Sequence, residues 1–194
     1  MNKVYERVNI HKMDKLTNET LIRLHENFIL IDDSVVIEEF AKFNPRDYFI
    51  ENKRKIKYCL GDYFKEYILS KAEVISHLLE IKFFNYQFIK TIYDKEIMEI
   101  FSISKSQEKN GLISREMALQ TIAYLTSKQP NGEIGTLLNN GLVTIIGYTL
   151  CKDKIIRVVY VIWDKVKREW GCYACNIGKR WFVGRRMMIY HQSF

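Results

Sequence analysis

Residues 62–101 read DYFKEYILSKAEVISHLLEIKFFNYQFIKTIYDKEIMEIF, and the period assigned to this stretch decides the fold. Phe64, Tyr67, Ile68, Ile75, Leu78 and Leu79 recur at helical spacings, and Ile89, Tyr93, Ile97, Ile100 and Phe101 repeat the pattern. Such spacing lines one face of a helix. The stretch is therefore predicted to be helical, either as one long helix or as two meeting near Asn85.

The flanking segments read the same way. Asn44-Pro45-Arg46-Asp47 places a capping side chain before a proline at the first helical position, with an acid where backbone N–H groups are free, so a helix is predicted over 44–58. Two shorter helices are predicted over 20–30 and 34–43, separated by the Asp32-Asp33-Ser34 cap. Ser114 caps another, which carries Met117, Ala118, Ile122 and Leu125 until the Gln-Pro-Asn-Gly turn at 129–132 stops it.

After Asn139-Asn140-Gly141 the texture changes. Segments 142–150, 155–163, 169–175 and 181–191 are rich in β-branched and aromatic residues and are joined by short polar links, which connect antiparallel neighbours. Gly147 and Gly184 read as bulges that curve the sheet. The expected class is α+β. An N-terminal helical region (1–130) packs on a C-terminal four-stranded curved antiparallel meander (131–194), the two forming one integrated unit.

With 194 residues and 47% hydrophobic content the chain can bury a substantial core, and only two prolines and nine glycines leave no room for a long linker. The opening MNKVYERVNIHKMDK is charged and lacks the apolar core of a secretory signal, and no stretch is long and apolar enough to cross a bilayer. A soluble, cytoplasmic protein is expected, its four cysteines reduced.

The net charge of +7 is unevenly placed. Residues 151–194 hold ten cations and three anions, so this tail carries the whole excess, together with Trp163, Trp170 and Trp181. Arginine binds carboxylate or phosphate bidentately and stacks on aromatic planes.

Cys172-Tyr-Ala-Cys175 fits C-x-x-C, but a redox pair needs its first thiol at a helix N-terminus. On an extended strand the two Cα atoms lie roughly 10 Å apart with side chains on opposite faces, too far for a disulfide. A metal site would have to be built from Cys151, Cys172 and Cys175, one ligand short of a structural zinc centre. The four histidines are scattered, and no phosphate-binding glycine loop, G-x-S-x-G or H-E-x-x-H motif occurs. No cofactor and no catalytic group is expected.

The predicted function is that of a non-catalytic interaction or regulatory protein whose basic, aromatic sheet binds an acidic macromolecular partner, such as an acidic protein surface. Lys167, Arg168, Lys179, Arg180, Trp181, Arg185 and Arg186 form the expected partner-binding set. Nucleic-acid binding through the same cations is one alternative. A small enzyme or ligand carrier is another, with Tyr148, Tyr160, Trp163 and Trp170 lining a pocket between helices and sheet. The outer face of the sheet could equally serve a homodimer.

Overall fold

The computed structural model describes residues 18–37, 43–49, 56–74, 81–103 and 111–191. In chain order the elements are α1 (Asn18–Asn27), β1 (Phe28–Ile37), α2 (Pro45–Tyr48), β2 (Tyr58–Leu60), a π-helical segment (Phe64–Leu69), β3 (Ile81–Phe88), β4 (Ile92–Tyr93), α3 (Asp94–Ile100), α4 (Arg115–Lys128), β5 (Thr144–Leu150), β6 (Ile156–Asp164), β7 (Glu169–Asn176), β8 (Arg180–Trp181) and β9 (Arg186–His191). Among the described residues, seven strands form one mixed sheet in the order β1-β3-β9-β5-β6-β7-β2, and β4 pairs with β8 in a separate two-stranded sheet. The β9–β5 and β7–β2 pairs are parallel, and the others in the large sheet are antiparallel.

This overturns the four-stranded antiparallel meander on a helical N-terminal region. Within 62–101 the helical pieces are Phe64–Leu69 and Asp94–Ile100, while Ile81–Phe88 is a strand inside the sheet; residues 75–80 lie outside the described residues. The misreading has a physical cause. Ile-Lys-Phe-Phe-Asn-Tyr-Gln-Phe is apolar or aromatic at most positions because β3 is flanked by β1 and β9 and buried on both faces. A run with large apolar groups at five of eight positions and on both faces matches a period of two as well as one of 3.6.

Asp32-Asp33-Ser34 is also no helix cap. It lies within β1, where the register against β3 shifts on either side of Asp32. The expected helix over 34–43 is a strand up to Ile37, with 38–42 outside the described residues. The one over 44–58 is helical only over Pro45–Tyr48, with Asn44 accepting from the Arg46 N–H at 3.2 Å, and 50–55 are not described.

Of the four expected strands, β5, β6 and β7 do form an antiparallel run, with a register shift at Gly147. The fourth is two strands. Trp181 pairs with Ile92 in the small sheet, the chain turns through Gly184 at φ +85°, and Arg186–His191 then inserts between β3 and β5. Only glycine adopts that φ without strain.

Two cores result, one on each face of the sheet. On one face Ile37, Phe83, Ile146, Val161, Trp170 and Met188 pack with Leu119 and Ile122 of α4, Phe49, and Phe64 and Ile68 of the π-helical segment. On the other, Phe28, Tyr86, Tyr148, Val158 and Met187 pack with Leu24 of α1, Ile97 and Ile100 of α3, and Ile92 and Trp181 of the small sheet. Among the described residues no helix is long and apolar enough to cross a membrane.

Candidate basic-aromatic surface

The second core contains a carboxylate. Asp94, the first residue of α3, is 1% exposed. Burying such a group is strongly unfavourable unless donors replace its water. Four do so. Oδ1 accepts from the Tyr148 hydroxyl at 2.8 Å and from the Trp181 indole N–H at 2.6 Å, and Oδ2 accepts from the backbone N–H groups of Gly178 at 2.8 Å and Lys179 at 2.6 Å. The Asp94 N–H itself donates to the Lys179 carbonyl at 3.0 Å. One side chain thus ties β5, the turn after β7, β8 and the start of α3 into a single piece.

The geometry shifts its neighbours. Burial, then the Asp94 charge, holds the Tyr148 phenol well above its ordinary range. Burial raises the Cys175 thiol to about 11, with the Asp94 charge adding to the effect and Lys179 opposing it.

The clamped turn leaves its outer side chains in solvent. Gly178 has φ +111°, a conformation suited to glycine, and Ile177 beside it is 41% exposed. Farther along, Phe182 and Val183 are 49% and 55% exposed, and Tyr93 across the small sheet is 50% exposed. The Arg180 guanidinium carbon lies 5.2 Å from the Phe182 ring centre and 5.9 Å from that of Tyr93, and Arg185 lies 4.8 Å from Phe182. These are cation–π distances.

Lys179, Arg180 and Arg185 have no acidic partner among the described residues. Elsewhere Arg23 meets Glu99 at 3.1 Å, Lys90 meets Glu26 at 3.8 Å, and buried Arg157 grips Asp153 through two bonds of 2.8 and 2.7 Å beneath the Tyr67 ring. Two Arg185 nitrogens, Nε and Nη1, are shielded from solvent without a hydrogen bond, and burial pulls this guanidinium below its ordinary value.

The structure thus divides the seven expected binding residues. Arg180 and Arg185 share one surface around Phe182 with Trp181 buried beneath it, and Lys179 is exposed next to Arg180 in the chain. Arg186 is half-buried on the opposite face of the large sheet, where Nη1 donates to the carbonyls of Gly135 and Thr136 at 3.0 Å each. Lys167 and Arg168 sit at the far end of β7, about 25 Å away for an extended strand of this length. There Lys167 faces Glu169 at 3.7 Å.

The expected pocket aromatics do not meet around one space. Tyr148 and half-buried Tyr160 lie on the α3 side of the sheet, and Tyr160 stacks on Tyr173 with ring centres 5.5 Å apart. Trp163 and Trp170 pack against each other at 5.1 Å on the α4 side, where the Trp170 N–H donates to the Gln129 carbonyl at 2.9 Å. Cys151 and Cys172 belong to that side as well, whereas Cys175 faces the other. All four cysteines are free thiols, and among the described residues no group of His, Cys, Asp and Glu is arranged to hold a metal ion.

Asp94, Tyr93, Ile177, Phe182 and Val183 escaped the reading of the sequence. The legible signal was the pair of glycines that bracket Lys-Arg-Trp-Phe-Val, since two residues free to take positive φ mark a segment that projects. Asp94 offers only a helix-start pattern, Tyr-Asp-Lys-Glu. No protein-family model matches the chain, and neither the curated proteins nor the solved structures compared with it contain a significant match.

Proposed function

We propose that this is a non-catalytic interaction or regulatory protein that binds an acidic protein surface through Lys179, Arg180 and Arg185, set around Phe182 and Tyr93. One observation carries the reading: Arg180 and Arg185, without acidic partners among the described residues, lie against half-exposed aromatic rings, and Arg180 directly follows a turn held by a buried carboxylate. Arginine and aromatic residues on a rigid support supply most of the energy at protein interfaces, because little side-chain entropy is lost on contact. A cytoplasmic place of action belongs to the reading and is supported by four cysteines that are all free.

The test compares native-cell capture by the wild type with capture by the Lys179→Glu/Arg180→Glu double variant. Both side chains are exposed, so folding is retained and partner affinity drops about tenfold or more. Equal capture by both proteins would remove the proposal. Nucleic acid is the second reading, favoured by the exposed Phe182 and Tyr93 rings on which bases could stack. It requires affinity for a single-stranded oligonucleotide that falls steeply as salt is raised, and a flat anisotropy titration at low ionic strength eliminates it.

A further inference from the structure

Beside the clamped turn is a cleft of about 700 Å³, formed by Met98 and Ile103 of the α3 segment on one side and by Ile177 and Gly178 on the other. Its lining is mainly apolar. The acid that borders it, Glu99, is engaged by Arg23 at 3.1 Å and Lys95 at 4.0 Å. Across the same turn lies a second cleft of about 470 Å³, bordered by Tyr63, Cys175 and Lys179, and Ile177 and Gly178 line both. The turn is therefore a ridge between two depressions, with Lys179 and Arg180, which have no acidic partner among the described residues, continuing along it.

Resting on the reading of this surface as a site for an acidic protein, we infer that its occupant is an acidic polypeptide segment bearing one bulky aliphatic or aromatic residue. That residue seats between Met98, Ile103 and Ile177 while flanking carboxylates meet Lys179, Arg180 and Arg185. Charge complementarity selects the sign of the segment. The apolar lining selects a side chain over a nucleobase, whose polar edge would lose its water against methionine and isoleucine without recovering hydrogen bonds. The volume suits one large side chain with the backbone on either side of it.

The test uses two short fluorescein-labelled glutamate-rich peptides, alike except for a central leucine in one and alanine in the other, followed by anisotropy at low ionic strength. The leucine peptide binds the wild type about tenfold more tightly than its twin. Ile177→Asn, at an exposed position, and Met98→Ala each shrink that advantage and leave the alanine peptide's affinity nearly unchanged. If the peptides bind the wild type equally, or if the leucine advantage survives both substitutions, the apolar anchor is wrong while the basic surface stands. If neither peptide binds, or an oligonucleotide binds in their place, the inference falls together with the reading beneath it.

Discussion

Replacing Asp94 by alanine leaves a buried phenol and a buried indole without an acceptor and takes the partner from two part-buried backbone N–H groups. The expected loss is about 3–5 kcal/mol of unfolding free energy, read from urea denaturation, with Tyr148→Phe losing a smaller part, about 1.5–3 kcal/mol. Asp94→Asn retains one acceptor and presents a donor where donors already converge, so it falls between the two. In that variant the Gly178 and Lys179 amides exchange with solvent faster while amides of the central strands keep their protection. The thiols add a pH signature. Cys175 unfolded loses its proton near its ordinary 9.0 and folded only at about 11. Between those values the unfolded state has released a proton that the folded state keeps, so stability is full below the window and declines as pH rises through it. A denaturation series across that range reads the slope, and Cys175→Ala reduces it.

Gly132 ends α4 in the turn that the Gln-Pro-Asn-Gly pattern announced, and its N–H donates to the Gln129 carbonyl at 3.0 Å. It has φ +70°, and a Cβ there would sit 2.1 Å from the Trp163 ring, which is buried and has little room to retreat. Gly132→Ala is expected to destabilise the protein by about 2–3 kcal/mol in the same denaturation experiment. This helix was legible because its signals are local: the Ser114 hydroxyl accepts from the Met117 N–H at 3.0 Å, three residues on. Strands β5, β6 and β7 were legible for a similar reason, since short polar links leave antiparallel pairing as the simplest outcome. β3 was not, because burial on both faces erased the alternation that identifies a strand, and β1 was hidden by a polar bulge that imitates a cap. The site divides likewise. Clustered charge exposed Lys179, Arg180 and Arg185, whereas the donors to Asp94 lie 54 to 87 positions farther along the chain and leave no local trace.

Long-range pairing dominates the molecule. β3 joins β9 across about a hundred residues, and β2 joins β7 in parallel across a similar interval, as in Phe84 opposite Ile189 and Cys59 opposite Gly171. Refolding is therefore expected on the millisecond-to-second scale, slower than for a helical protein of this size, which stopped-flow tryptophan fluorescence would show. Microsecond refolding would contradict this strand order. The order also carries a consequence for the protein's birth. β9 is synthesised after all the other described strands yet lies between β3 and β5. Until residues 186–191 are made, the growing chain can assemble only two partial sheets, each with the raw edge that β9 will later cover. The nascent polypeptide is thus adhesive along both edges in the moments before β9 arrives. A translational pause there would prolong that state and raise its demand for chaperones, although the finished protein covers both edges.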